Sequence, residues 1–342
     1  MHVERRIFST RLLGLFILFF SLSACLPPEE RQIMSSSTEL DYISERDLTG
    51  IRVGYCSPTM NGPFYVALER AVREAAEAYG MTYMSTDGQG DITRQVMAVE
   101  DLLSKDIQLL ILNPLDPQAL VPIVNLARAQ GVEVFILDST IEEGTSYTSA
   151  LFAHNMLNGE LLGLWLAEQN LADPQIAIIS GNQGNPVGRE KRLGFVRGLA
   201  DGQLHRHAKT SFDIVAQGWG GWNNNGGLAA MEDILVAHPY VNVLLAENDA
   251  MALGAMKVIQ QMGMEDQITV LGFDGQKEAY EMIQAGRFAV TAQNSPQILG
   301  ETMVELIARH LNGEEIDKVN YTPSVLISSR NVEQFYDPNA LF

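Results

Sequence analysis

IRVGYCSPTMNGPFYVALERAVREAAEAYG, residues 51–80, holds the pattern that decides the fold. Ile51-Arg52-Val53-Gly54-Tyr55 reads as a short strand. Pro63 then opens a helix, with Phe64, Leu68, Ala71, Val72, Ala75 and Tyr79 at three-to-four spacing and Gly80 as its stop. The same unit recurs. A strand near 81–84 precedes a helix over 92–104 in which Val96, Val99 and Leu103 face inward. The runs 109–112 and 132–137 are largely apolar, as strands covered on both faces should be, with a helix over 118–129 between them. A second series follows 147–152, with strands near 176–179, 214–216, 243–246, 269–271 and 289–291. Its helices fall at 156–169, 188–199, 227–237, 250–262 and 277–285. This alternation predicts parallel sheets with right-handed crossovers. No short internal repeat is present, only two similar αβ halves.

In such sheets ligands bind beyond the carboxyl ends of the strands, so the residues that follow each strand are the ones to collect. They are Asn61, Phe64 and Tyr65; Asn113 and Asp116; Asp138; Asn155; Asn182, Gln183 and Asn185; Trp219 and Trp222; Asn248 and Asp249; Phe273 and Asp274; and Gln293 and Asn294. Amides and carboxylates take paired hydrogen bonds from neighbouring hydroxyls, and aromatic faces pack against the C–H face of a sugar ring. A carbohydrate or polyol needs both. Each position also has a plainer reading. Asp116 before Pro117, and Asn248-Asp249 before an apolar helix, suit helix caps. Phe64 shares its helical spacing with Leu68 and fits a core equally well. The accumulation at successive strand ends is what favours a site.

The N-terminus carries a different signal. Arg5, Arg6 and Arg11 precede an apolar run at 12–22, interrupted only by Gly14 and Ser21. A permanent span needs ~20 apolar residues, and this run suits the apolar part of a cleavable export signal. Leu22-Ser23-Ala24-Cys25 resembles the bacterial lipobox, which makes Cys25 the expected lipidation site. Arg5-Arg6 is only a faint match to a twin-arginine signal. Residues 26–47 are polar and lack a sustained apolar period; a coil of ~22 residues has a dimension of roughly 25 Å and would act as a tether.

Composition removes several function classes. Lys and Arg number 23 against 42 Asp and Glu, for a net charge of −19, and there is no basic stripe. Phosphate contacts need clustered cations, so nucleic acid is not an expected partner. With Cys25 lipidated, Cys56 is left as a lone thiol and reads as a small packed residue. Residues 181–191 lack the spacing of a phosphate-cradling loop. His205 and His207 lack companion metal ligands and read as a solvated loop. Asp87-Gly88-Gln89-Gly90-Asp91 lacks the later Glu of a calcium loop. No nucleophile–base arrangement stands out. No enzyme, cofactor or metal is expected.

A family resemblance rests on Asn61-Gly62-Pro63-Phe64-Tyr65, Leu112-Asn113-Pro114-Leu115-Asp116, Ile136-Leu137-Asp138 and Arg189 through Gly194-Phe195. It also rests on Asn248-Asp249-Ala250-Met251-Ala252-Leu253-Gly254-Ala255 and Val270-Leu271-Gly272-Phe273-Asp274-Gly275. From Gly50 to the last strand, with these motifs in order, the chain resembles the ribose-type periplasmic binding proteins, the solute receptors of sugar ABC importers. The resemblance implies an α/β fold of two doubly wound parallel-sheet lobes (periplasmic binding protein type 1), joined by a three-crossing hinge near Phe152, Asn294 and Pro323. The expected organisation is 1–24 signal peptide, 25–48 lipidated Cys and tether, 49–152 plus 295–323 lobe 1, and 153–294 plus 324–342 lobe 2.

By that resemblance, Phe64, Tyr65 and Trp222 sandwich the ligand ring. Asp138, Asn248 and Asp274 take its hydroxyls, with Asn113 near the lobe 1 wall. The family's ligand-facing Arg falls at Arg189 or, nearby, at Lys191, and the hinge amide at Gln293 or Asn294. Two departures stand out. Ser139 follows Asp138 where ribose receptors place Arg, and Gly62 stands where the family has an amide, which leaves Asn61 as a weaker substitute. Losing a planar five-donor fork changes which hydroxyls are read, so a pentose, hexose, polyol or related signal molecule fits as well as ribose.

The implied partners are a sugar or polyol and an ABC permease in the membrane, with the protein a monomer. Its expected place is the periplasmic or extracytoplasmic face of a bacterial membrane, held there by the N-terminal lipid. A sensing subunit docked on a membrane kinase or chemoreceptor would use the same cleft and is the alternative. Lac-repressor-like effector domains share the fold, but the export signal and tether stand where a DNA-binding helix pair would have to be.

Overall fold

The structure, a computed structural model, describes residues 48–342. The apolar run, Cys25 and the tether lie outside the described residues. The first sheet contains β1 (Arg52–Ser57), β2 (Thr82–Asp87), β3 (Leu109–Leu112), β4 (Glu133–Leu137), β5 (Ser149–Ala153) and β11 (Val319–Thr322). Its order is β11-β5-β4-β3-β1-β2, and every pair is parallel. The second contains β6 (Gln175–Ser180), β7 (Asp213–Trp219), β8 (Val243–Ala246), β9 (Thr269–Asp274), β10 (Val290–Gln293) and β12 (Leu326–Ser328), in the order β12-β10-β9-β8-β6-β7.

Helices cover both faces of each sheet. They are α1 (Pro63–Ala78), α2 (Ile92–Leu103), α3 (Val121–Ala129), α4 (Asn155–Glu168), α5 (Pro186–His207), α6 (Asn224–Ala237), α7 (Asp249–Gln261), α8 (Lys277–Gln284) and α9 (Pro296–Leu311). The fully buried β3 and β8 are the apolar strands this arrangement demands. Among the described residues no helix is long and apolar enough to cross a membrane.

Three short segments carry the chain between the sheets: His154 from β5 to α4, Asn294–Ser295 from β10 to α9, and 323–325 from β11 to β12. Helix α9 returns to the first sheet, where Leu299, Met303 and Val304 join the core around Val53 and Tyr55. The chain order reverses between β1 and β3 in one sheet and between β6 and β8 in the other. Each reversal leaves a crevice at the strand carboxyl ends.

Several local expectations change. β12 runs antiparallel to β10, so the second sheet is not wholly parallel. Helix α5 extends through His207, so the exposed His205 and His207 occupy its last turn and not a loop. Asp116 accepts from Gln118 N and Ala119 N in the turn before α3 and is not the residue adjoining that helix. The 87–91 segment is a turn and a cap: Asp87 accepts from Gln89 N, and Asp91 caps α2 through Arg94 N at 2.8 Å. Cys56 is fully buried in the lobe 1 core, and burial pushes its thiol up to about 11, which leaves it a packing group.

Candidate functional site

The cleft between the two sets of strand ends is lined from both sides. One wall carries Phe64, Tyr65, Asn113, Asp138 and Ser139; the other carries Asn182, Asn185, Lys191, Trp222, Asn248, Asp274, Gln276 and Asn294. The aromatic pair comes from α1, which starts at Pro63 immediately beyond β1. Phe64 and Tyr65 meet edge to face with ring centroids 5.7 Å apart. Asn113 and Asp138 follow the adjacent strands β3 and β4, and Asn113 Nδ2 donates to Asp138 Oδ2 at 3.0 Å. Gln95 of α2 fixes this corner: its Nε2 donates to Asn113 O at 2.7 Å, and its Oε1 accepts from Leu115 N at 2.9 Å.

The opposite wall is organised around a buried ion pair. Lys191 is 2% exposed; its Nζ lies 3.2 Å from Asp274 Oδ1 and donates to Glu247 O at 2.9 Å. The ammonium also stands 4.8 Å from the Phe273 ring centroid and 5.6 Å from that of Trp222. Its depth follows from how α4 and α5 pack. A Cβ at Gly159 would overlap Lys191 O, and one at Gly194 would overlap Met156 O, so glycine lets the backbones approach and drives Lys191 inward. Below it, Glu247 accepts from Gly181 N at 2.8 Å and from Arg192, which also donates to Ser180 Oγ at 3.0 Å.

Three wall residues adopt a backbone that L side chains rarely hold: Asp138 (φ 65), Trp222 (φ 62) and Asp274 (φ 104). Such positions cost about 1–3 kcal/mol each and persist where the surroundings over-determine them. Around Trp222, the indole lies where a Cβ on Gly181 would be, and its carbonyl accepts from Asn248 Nδ2 at 3.2 Å. Asp274 is held by Lys191 and by Asn294 Nδ2 at 3.5 Å. Beneath it, Asp249 accepts from Gly275 N (2.8 Å), Gln276 N (2.9 Å) and the Thr291 hydroxyl (2.8 Å), tying β9 to β10.

Burial pushes the Asp138 carboxyl up to about 6, against the Asn113 hydrogen bond and the field of Lys191. Asp274 is also pushed up by burial, with Lys191 opposing. Burial, reinforced by neighbouring Asp274, takes Asp249 up to about 8. Among the described wall residues three buried polar atoms have no protein partner: Ser139 Oγ, Gln276 Oε1 and Asn294 Oδ1. Buried polar atoms are ordinarily satisfied, so these are open to a ligand or water.

Of the residues that the family resemblance assigned to the ligand, Phe64, Tyr65, Asn113, Asp138, Lys191, Trp222, Asn248, Asp274 and Asn294 come together in the cleft. Three do not. Arg189 is exposed, because residues two apart on a helix face away from each other and Lys191 takes the inward side. Asn61 is exposed ahead of α1, in a turn where its N donates to Thr59 Oγ1 at 3.0 Å. Gln293 lies outside the walls, its amide 3.4 Å from the Tyr280 hydroxyl, whereas Asn294 lines the cleft. Trp219 ends β7 at 45% exposure beside Arg192. Asn248 does cap α7, accepting from Met251 N at 2.9 Å, and lines the cleft as well. Gln276 and Phe342 are wall residues no strand-end pattern singled out; Phe342 packs with the lobe 1 core although it follows the last strand of lobe 2.

Known proteins place this architecture. The ribose import binding protein of Bacillus subtilis is 30% identical over 311 residues, covering 90% of this chain and 95% of that protein. A crystal structure of an ABC transporter solute binding protein from Mycobacterium smegmatis, with bound glycerol, is 30% identical with a TM-score of 0.77, covering 84% of this chain and 98% of that one. The Caulobacter myo-inositol binding protein shares the fold at 24% identity and a TM-score of 0.76, covering 84% of this chain and 97% of that one. A family model described as a periplasmic binding protein domain matches residues 53–315, and with two sheets opposed across a lined cleft the chain belongs to that family.

Proposed function

We propose that the protein captures a neutral sugar or sugar-like polyol between its lobes and delivers it to an ABC importer, as an extracytoplasmic solute-binding protein lipidated at Cys25. The observation that carries the reading is the pairing of aromatic faces with polar groups in one cleft: Phe64, Tyr65 and Trp222 beside the Asp138 carboxyl and the unpartnered Ser139 Oγ, Gln276 Oε1 and Asn294 Oδ1. Apolar ring faces and hydroxyl-accepting oxygens together match a polyhydroxylated ring. Further support comes from relatives named for ribose import and from the M. smegmatis receptor holding glycerol.

Charge narrows the class. Asp138 and Asp274 face one cation, Lys191, two of whose three donors are directed at Asp274 and Glu247 O. Among the described wall residues no second cation stands beside Lys191, and two carboxylates against one ammonium disfavour a sugar acid or sugar phosphate. In this reading Asp138 and Asn113 take hydroxyls from lobe 1, and Asp274, Asn248 and Asn294 take them from lobe 2. A ligand touching both walls binds the closed state better than the open one, and that difference drives closure.

The test is a thermal-shift screen against sugars, polyols and amino acids. A ligand at about 100 times its dissociation constant stabilises by about 2.7 kcal/mol. A shift with a neutral sugar or polyol is expected. A response to amino acids alone would overturn the reading.

A further inference from the structure

The segment after β12 does not stay with the lobe that carries it. Its first part is fixed to lobe 2: Gln284 Nε2 donates to Glu333 Oε1 at 3.0 Å, and the Tyr336 hydroxyl to Glu281 Oε1 at 3.1 Å. Val332 is buried in the lobe 2 core, with Phe335 and Tyr336 packed against it. A turn follows, in which Asp337 accepts from Asn339 N at 2.8 Å and from Ala340 N at 3.1 Å. Lys277, the first residue of α8, then holds Ala340 O at 2.8 Å. Two residues later the chain has reached the other lobe. Phe342 packs against the lobe 1 core, its ring edge-on to Phe64 at 5.7 Å and 81°, and it lines the cleft.

We infer that residues 337–342 are a strap across the cleft, a fourth link between the lobes that forms only in the closed state, with Phe342 a wall residue of the ligand site. The inference rests on the ligand reading proposed above. The three hinge crossings are covalent and persist whether the lobes are open or closed. The strap is different: it is anchored on lobe 2 through Lys277, and Phe342 is held on lobe 1 by ring packing rather than by a covalent crossing. Opening the cleft must separate Phe342 from Phe64 or pull Ala340 from Lys277. Its energy therefore counts toward the closed state only, and a contact of that kind slows ligand escape more than it alters encounter. Phe342 also braces Phe64, the aromatic platform of lobe 1, in the edge-to-face geometry aromatic pairs favour.

The test has two arms. In the first, release of the best-stabilising neutral compound from a panel of ribose, allose, myo-inositol and glycerol is followed by stopped-flow tryptophan fluorescence. Phe342→Ala should speed dissociation roughly fivefold to tenfold, the scale of one lost aromatic contact, with the association rate changed less than twofold. Lys277→Met, which loosens the anchor without touching the wall, should shift dissociation in the same direction by a smaller factor. A dissociation rate unchanged in both variants overturns the strap while leaving the ligand reading intact. The second arm needs no ligand. With Cys25 and Cys56 replaced by Ala, a Phe64→Cys/Phe342→Cys protein is joined by a flexible bismaleimide long enough to span two facing ring positions, and its radius of gyration is compared with that of the unlinked form by small-angle scattering. A monomeric crosslinked species, more compact than the unlinked one, is expected. No intramolecular crosslink, or a crosslink without compaction, contradicts it whatever the panel shows.

Discussion

The two walls of the cleft solve the same problem by different means. The lobe 2 wall is paired within itself: Lys191 and Asp274 neutralise each other, and Glu247, Asp249 and Asn294 support them from behind. The lobe 1 wall is left unfinished. Asp138 has the Asn113 amide and no ion-pair partner, and Ser139 Oγ has none at all. One wall holds its geometry by internal pairing. The other leaves its carboxylate without an ionic partner, and unpartnered oxygens open to a ligand stand on both sides: Ser139 Oγ on lobe 1, Gln276 Oε1 and Asn294 Oδ1 on lobe 2. The comparison teaches that a carboxylate on each side of a cleft need not do the same work, since the cost of removing either depends on what it leaves behind.

Deleting Asp274 is the largest way to break this contrast. Asp274→Ala strands Lys191 without its ionic partner, and removal of one member of a buried pair costs about 3–5 kcal/mol. We expect ligand binding to be lost and the melting temperature of the ligand-free protein to fall, read by calorimetry and thermal denaturation. Asp138→Ala should weaken binding by about 1.5–3 kcal/mol, the scale of a hydrogen bond to a charged group, with little loss of stability. Equal melting temperatures in the two variants would erase the distinction between the walls.

The next effect is on Trp222. Gly181→Ala places a methyl where the indole lies, so it should weaken affinity tenfold or more and change the ligand-induced fluorescence. Trp222→Ala should abolish that fluorescence change outright. A Gly181→Ala protein with unaltered affinity would show that the Trp222 position is unimportant.

The smallest effect comes from pH. The Asp138 carboxyl is raised to about 6, above the ordinary carboxylate value, so the folded protein holds this proton more tightly than the unfolded chain. Its contribution to stability is present below the unfolded value and is lost as pH rises through 6. Ligand affinity should run the other way. Protonation removes the hydroxyl-accepting carboxylate, so affinity should fall roughly tenfold between pH 7 and 5, a slope that Asp138→Asn removes. A pH-independent affinity in the wild type would deny Asp138 its role.

The fold was largely legible because it is written locally. Strand–helix alternation, Pro63 at a helix start and the apolar runs at 109–112 and 132–137 need no distant information. The site was legible only as far as strand ends could be counted. Arg189 and Lys191 sit two positions apart on one helix, and which faces the cleft is set by glycine contacts between α4 and α5, more than thirty residues apart in the chain. Trp219 and Trp222 were equally placed by pattern; β7 runs to Trp219, and only the left-handed turn at 221–222 aims the second indole inward. Phe342 left no local signal, because its place depends on a path between lobes. Ser139 appeared only as a missing Arg, and its unpartnered hydroxyl emerges from the packing around it.

In the proposed function this cleft takes neutral hydroxyls from both walls. Isothermal titration with matched pairs tests it most directly: ribose against ribose 5-phosphate, and glucose or myo-inositol against glucuronate. Saturable one-to-one binding of at least one neutral member, and none of its charged counterpart, is expected. Tighter binding of the acid or phosphate would contradict it.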